Sequence, residues 1–196
     1  LAREEARPTN TSFEDLNEVC MTQPHWLRNV RPYGAAAEDL LIENGRFSQR
    51  RPASNSPLSA SDIDGHNQLR TSALVESHVH LDKTLYGQPW HPNSAGPTLK
   101  DYISNERRIL REVTAPIAER AGALLENCIA RGSLTMRCHV DIDPEFGLRH
   151  VEAMQQLRER YKDLIDLQLV VFPQTGLISR PGTAELMREA MALGVE

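Results

Sequence analysis

Apolar positions in the second half of the chain follow two alternating patterns. Short runs, apolar throughout or at every second position, are typical of strands, and longer segments with apolar residues every three or four positions are typical of amphipathic helices. The predicted strands are 73–80, whose short apolar run is typical of a buried parallel strand, 134–141 and 165–172. The first predicted helix begins with Thr114 as its N-cap and has its apolar face over 117–129, and the other two are 148–161 and 183–193. Three β-α units in a row predict a parallel sheet with right-handed crossovers.

The first half of the chain has shorter, β-like signals. Between Trp26 and Ala73 the apolar runs are brief, and Asn44-Gly45 predicts a tight hairpin turn because both residues tolerate positive φ. Residues 50–68 are rich in Ser, Pro, Asn and Asp, and we expect a loop there. We interpret residues 1–23 as a disordered extension, 24–72 as a small β domain, and 73–196 as the β-α domain.

Composition narrows the class of protein. The chain has 196 residues, 40% hydrophobic and 25% charged, with 22 basic against 27 acidic side chains and a net charge of -5. An acidic balance disfavours nucleic acid as a partner. The sequence shows no apolar stretch of membrane-spanning length and no signal peptide, so we expect a cytoplasmic protein without a membrane partner. Cys20, Cys128 and Cys138 form no CxxC motif, and we interpret the last two as small core residues.

The strongest chemical signal is His78-Val79-His80 at the end of the first predicted strand. Side chains at i and i+2 of a strand point to the same side, so both imidazoles can ligate one divalent cation at about 2.0–2.1 Å. The alternative is a pair of solvent-facing or core histidines. Active sites of α/β proteins lie at the carboxyl ends of parallel strands, which favours the metal hypothesis. The other histidines with no partner at ligand spacing are interpreted as surface residues: His25, His66, His91 and His150.

The sequence has neither of two common nucleotide-binding motifs. The sequence contains neither GxGxxG after a strand nor GxxxxGK[ST], so it indicates no dinucleotide or nucleoside triphosphate site.

Three motifs together resemble a known family. Leu74-Val-Glu-Ser-His-Val-His-Leu-Asp-Lys, Arg137-Cys-His-Val-Asp and Asp166-Leu-Gln-Leu-Val-Val-Phe-Pro-Gln occur in this order. From about Trp26 to the C-terminus, the chain resembles the cytosine deaminase branch of the amidohydrolase superfamily. The resemblance implies a (β/α)8 TIM-type barrel, of which 73–196 forms the first three β-α units, and a β-sandwich, of which 24–72 forms part.

The same resemblance assigns residues. It implies that His78 and His80 are metal ligands, that Gln174 contacts the substrate, and that His139 and Asp141 lie at the pocket wall. An amide side chain offers both a donor and an acceptor, which suits a ring carbonyl and its neighbouring N–H. We expect a divalent metal ion, zinc or iron, and the sequence leaves its identity open because histidine and aspartate ligands suit zinc, iron(II) and manganese alike. Lys83 departs from the family pattern, since cytosine deaminases typically carry an uncharged residue at this position.

The functional hypothesis is a metal-dependent amidohydrolase that cleaves a C–N bond of a small cyclic amidine or amide with a metal-activated water. The alternatives are a dihydroorotase- or hydantoinase-like cyclic amide hydrolase and a non-catalytic metal- or partner-binding module. The family's remaining metal ligands and its acid/base residue belong to later strands, so the catalytic residues are expected beyond the C-terminus. We therefore expect this chain alone to be inactive and, with open strand edges, to self-associate.

Overall fold

The computed structural model describes residues 23–196, which belong to two compact units divided between Ser72 and Ala73. The predicted extension at 1–23 lies almost wholly outside the described residues. Within them, no helix combines the length and apolar character that crossing a bilayer requires.

The first unit contains a five-stranded sheet. Its strands are β1 (His25–Pro32), β2 (Glu38–Glu43), β3 (Arg46–Pro52), β4 (Ile63–Asp64) and β5 (Leu69–Arg70). The order is β3-β2-β1-β4, with β5 also paired to β1, and the β1–β2 and β2–β3 pairs are antiparallel. The predicted Asn44-Gly45 turn is confirmed: these residues have φ of 52° and 69°, and Glu43 pairs with Arg46.

The expected loop at 50–68 is only partly correct. Strand β3 runs to Pro52, and the short β4 pairs in parallel with β1. The buried Asp39 carboxylate explains part of this order, because it accepts hydrogen bonds from Arg28 at 2.7 Å and from the main-chain N–H of Ser54 at 3.2 Å. Arg28 in turn donates to the carbonyl oxygen of Ser54 at 3.0 Å. These long-range bonds to Ser54 hold a segment that has no apolar pattern of its own.

The second unit alternates strands and helices. Its elements are β6 (Leu74–Val79), α1 (Leu99–Glu112), α2 (Ile117–Ala130), β7 (Ser133–Asp141), α3 (Arg149–Arg160), β8 (Asp166–Phe172) and α4 (Thr183–Ala192). The structure therefore agrees with the predicted mixed α/β class. Helix α2 is confirmed, but Pro116 occupies its N-cap in place of Thr114, and Gly132 follows its end with φ of 95°.

Three parallel strands form the sheet of this unit, in the order β6-β7-β8. Side chains on one face of this sheet pack against α2 and α3 and form one core. Its fully buried members include Leu125, Met136, Cys138, Val140, Val151, Met154 and Leu169. The main chain of Glu196 adds a further parallel bridge to β8, because it exchanges hydrogen bonds with Leu169 and Val171.

The expectation that the first β-α strand is buried is wrong. Strand β6 pairs only with β7 among the described strands, and its residues Leu74 to His78 are exposed. A strand at the edge of a sheet lacks one of its two neighbours, so its side chains keep contact with solvent.

Candidate metal and substrate site

The carboxyl ends of the three parallel strands bring the predicted site residues to one edge of the sheet. His78 and His80 lie at the end of β6, His139 and Asp141 at the end of β7, and Gln174 follows β8 by two residues. Residues at equivalent depth on adjacent parallel strands are neighbours, since strand spacing is about 4.8 Å.

His78, His80 and His139 form a compact cluster of imidazole rings. The ring centroids of His78 and His80 are 5.2 Å apart, which places both rings on the same side of the sheet. The ring of His139 stacks on that of His78 at 4.0 Å and lies 6.1 Å from that of His80. Sequence spacing predicts the His78–His80 pair, while the contact with His139 depends on how β6 and β7 align.

One hydrogen bond fixes the tautomer of His80. Its Nδ1 lies 2.7 Å from the main-chain carbonyl oxygen of His139. A carbonyl oxygen can only accept, so Nδ1 carries the proton and Nε2 of a neutral ring keeps a free lone pair. Carbonyl support of this kind is the usual arrangement behind a metal-ligating histidine.

His139 is half-buried and lies beside the two other imidazole rings. Burial lowers its pKa first, and the neighbouring rings of His78 and His80 lower it further. Its Nδ1 atom is buried and has no hydrogen-bond partner among the described residues. A lowered pKa keeps this imidazole neutral at pH 7, which limits charge repulsion inside the histidine cluster.

Asp141 has a buried carboxyl group at the end of β7. Its Oδ1 accepts a hydrogen bond from the main-chain N–H of Gln174 at 3.3 Å, so it links the ends of β7 and β8. Burial raises its pKa above the ordinary value for an aspartic acid.

A cavity of about 700 Å³ opens beside these strand ends. Its lining has a polar part and a larger apolar part. The polar lining consists of His80, Lys83, Asn105, Glu106 and Gln174, and the apolar lining consists of Leu85, Leu99, Tyr102, Ile103, Ile109, Leu110, Phe172 and Pro173. Of the five predicted site residues, His80 and Gln174 line this cavity, whereas His78, His139 and Asp141 contact one of these two residues.

Helix α1 supplies much of that lining and carries residues that the sequence reading missed. Glu106 faces Lys83 and Gln174, and Arg107 forms paired hydrogen bonds of 2.8 and 2.9 Å with the buried carboxylate of Asp143. A local signal for this helix exists: Thr98 and Asp101 form a capping box at its start. The ion pair to Asp143 has no counterpart in local sequence, because 36 residues separate the partners.

The interpretation of His150 as a surface residue is wrong. It is buried on α3, where its ring stacks on Phe146 and its Nδ1 lies 2.9 Å from Oδ2 of Asp82. The same Oδ2 accepts the main-chain N–H of Asp141 at 3.1 Å, and Oδ1 of Asp82 has no partner in the described part of the chain. His25 is also buried, and its ring contacts the carbonyl oxygen of Gln23.

The histidine pair fits part of a divalent metal site. Both imidazoles lie on one side of the sheet, and the His139 carbonyl oxygen engages Nδ1 of His80, which leaves Nε2 as the nitrogen available to a metal. Within residues 23–196, no group of three or more His, Cys, Asp and Glu side chains is placed to hold a metal ion. The described residues therefore fit two ligands of such a site.

The chain is similar to curated proteins, one of which is named as an amidohydrolase. It is 32% identical to uncharacterized protein YahJ of Escherichia coli (strain K12) over 162 residues, which cover 81% of this chain and 35% of the relative. It is 27% identical to N-isopropylammelide isopropyl amidohydrolase of Pseudomonas sp. (strain ADP) over 145 residues, which cover 69% of this chain and 34% of the relative. No protein-family model matches the chain.

Two solved structures of named enzymes are also similar to the chain. N-isopropylammelide isopropylaminohydrolase of Burkholderia multivorans aligns with a TM-score of 0.78 at 35% identity, over 89% of this chain and 44% of that one. The 5-methylcytosine deaminase of Klebsiella pneumoniae, liganded with 5-fluorocytosine, aligns with a TM-score of 0.73 at 31% identity, over 87% and 41%. The homologues of this chain are members of the amidohydrolase family, which supports a cytosine deaminase-like amidohydrolase. It spans about a third of the length of the curated relatives that it matches.

Proposed function

We propose that this chain forms the metal- and substrate-binding edge of a hydrolase that cleaves a C–N bond of a small cyclic amidine or amide. The observation that carries the proposal is the free Nε2 of His80, which lies beside His78 and in the cavity that Gln174 also lines. The relatives bear the names of hydrolases and deaminases, which favours this function over a non-catalytic binding module.

Each predicted residue has a role in this proposal. His78 and His80 would hold a divalent zinc or iron ion, which when bound supplies water activation at neutral pH. The ring of His139 packs against His78, and its carbonyl oxygen orients His80. Asp141 receives the main-chain N–H of Gln174 and so positions the amide that reads the substrate. The general acid or base is not among these residues.

The barrel and sandwich remain part of the proposal. Three neighbouring parallel strands in chain order, with helices between them, support residues 73–196 as the first three β-α units of a (β/α)8 barrel. The parallel bridge made by Glu196 supports continuation of that sheet beyond β8. The sheet within residues 24–72 supports part of a β-sandwich.

The chain by itself should have no substantial hydrolase activity. A catalytic zinc site usually has three protein ligands, and the described residues supply two. Exposed Leu74 and Val75 on the edge strand β6 support the predicted self-association. A cytoplasmic location and a small-molecule substrate, with neither nucleic acid nor membrane as partner, complete the proposal.

The test is an assay of C–N hydrolysis. The product of the complete reading frame, whatever its length, is loaded with zinc or iron and assayed for ammonia or amine release from a panel of cyclic amidines and amides. The proposal predicts release that requires metal and that His80→Asn abolishes while His66→Asn does not. A metal-loaded protein that releases neither product from any compound, or one that His80→Asn leaves unchanged, contradicts it.

A further inference from the structure

A closed hydrogen-bonded cluster in the polar lining of the cavity consists of Lys83, Glu106 and Gln174. The ammonium group of Lys83 donates to Oε1 of Gln174 and, at 3.1 Å, to Oε2 of Glu106. The amide nitrogen of Gln174 donates to the same Oε2 at 2.9 Å. The side chain of Lys83 is only 5% exposed, whereas that of Glu106 is 37% exposed.

This cluster fixes which way the Gln174 amide points. A reversed amide would place its NH₂ group against the ammonium of Lys83 and its oxygen against the carboxylate of Glu106. Both contacts would be repulsive and would leave donors and acceptors unpaired. Lys83 and Glu106 therefore act as a pair that orients the amide proposed to read the substrate.

The N–H donors of Lys83 determine which group of a ligand can bind beside it. An ammonium group has three donors and no acceptor, and two of the three serve Gln174 and Glu106. The third N–H donor belongs to a side chain that lines the cavity. The Nζ atom that carries it lies 5.5 Å from the ring centroid of Phe172. A ligand oxygen satisfies this donor, and a ligand amino group cannot.

We propose that Lys83 is a specificity-determining residue, which selects ring substrates that present a carbonyl oxygen at this position over rings that present an amino group. The inference rests on the proposed function only in taking the cavity as the substrate site. Sites built to hydrogen-bond one group reject analogues that lack it far more strongly than apolar pockets do, because the buried partner is left unpaired.

4-Pyrimidinone and 4-aminopyrimidine are suitable probes, because they share a ring whose single exocyclic group is an oxo group in one and an amino group in the other. Calorimetric titration of the purified 196-residue chain, kept metal-free with a chelator, gives the ratio of the two dissociation constants. We expect 4-pyrimidinone to bind at least about tenfold more tightly. Lys83→Met should remove most of this preference, Lys83→Arg should retain it in part, and Lys162→Met, the same change at an exposed lysine, should leave it intact.

A second measurement needs no variant and so does not depend on how Lys83→Met folds. In the ¹H–¹⁵N spectrum of the lysine ammonium groups, 4-pyrimidinone should shift the Lys83 signal and 4-aminopyrimidine should not. The proposal is overturned if neither compound binds, if 4-aminopyrimidine binds as tightly as 4-pyrimidinone, or if Lys83→Met keeps the preference for 4-pyrimidinone. The ratio of dissociation constants is measured without metal and without turnover. The hydrolase function can therefore fail its test while the binding preference is observed, and the binding preference can be absent while hydrolysis is observed.

Discussion

The Nδ1 atom of His80 lies 2.7 Å from the main-chain carbonyl oxygen of His139, so the strand next to the histidine pair orients one of its rings. A main-chain acceptor cannot be lost by substitution at its own position. It depends instead on the parallel register in which Val79 pairs with Cys138. The geometry of the proposed metal ligand is thus a property of the β6–β7 pairing.

His150→Ala should destabilise the second unit by about 1.5–3 kcal/mol, the range for a hydrogen bond to a charged group. The substitution removes a partner from the fully buried carboxylate of Asp82. His150→Asn should cost less, because its amide N–H can replace the Nδ1 donor. Urea unfolding of the three proteins measures both differences. Equal stability of His150→Ala and the unsubstituted chain would show that the Asp82–His150 contact contributes nothing.

Acid should weaken the attachment of helix α1. Hydrogen bonds from Arg111 and then Arg107 lower the pKa of Glu145 from 4.5 to about 2. A carboxyl group whose pKa is lowered by folding stabilises the protein fully above its unfolded pKa, and this contribution is lost as the pH falls through the folded pKa. Stability should therefore decline between about pH 5 and pH 2.

Glu145→Gln isolates that contribution. Urea midpoints for this variant should fall less steeply with pH over the same window, since it has no proton to take up at residue 145. Glu159→Gln is the matched control, because Glu159 pairs with Lys162 at an exposed surface. A Glu145→Gln profile parallel to that of the unsubstituted chain would refute the assignment.

Cys138 should resist alkylation in the folded chain. It is fully buried in β7, and burial, together with the charge of Asp82, raises the pKa of its thiol to about 12. Very little thiolate exists at pH 8, and the reagent cannot reach it. Mass mapping after iodoacetamide treatment should find Cys138 modified only in denaturant. Modification under native conditions at the rate of a free thiol would contradict its place in the core.

Local pattern was sufficient for elements whose apolar residues face one core. Helix α2 and strand β7 were predicted with nearly correct bounds because their periods of 3.6 and 2 reflect packing against one another. The spacing of His78 and His80 likewise predicted that both rings share one side of the sheet. The prediction that Cys138 is a small core residue is also confirmed.

Other parts of the site depend on contacts between distant residues. Glu106 lies 23 residues from Lys83 and 68 from Gln174, and no spacing rule links the three. His150 was misread because its partner, Asp82, lies 68 residues away. Burial of β6 was wrongly predicted since apolar content does not show whether a strand has one neighbour or two.

Metal titration of the 196-residue chain tests the central claim most directly. Cobalt(II) is added to the unsubstituted chain and to His80→Asn, and visible absorption reports binding. His80→Asn keeps a side-chain N–H for the His139 carbonyl but removes the nitrogen that would ligate, while His66→Asn makes the same change at an exposed residue of the first unit. The account predicts one bound cobalt with affinity at least about tenfold lower in His80→Asn and unchanged in His66→Asn. Equal affinity in all three proteins, or no binding by the unsubstituted chain, would contradict it.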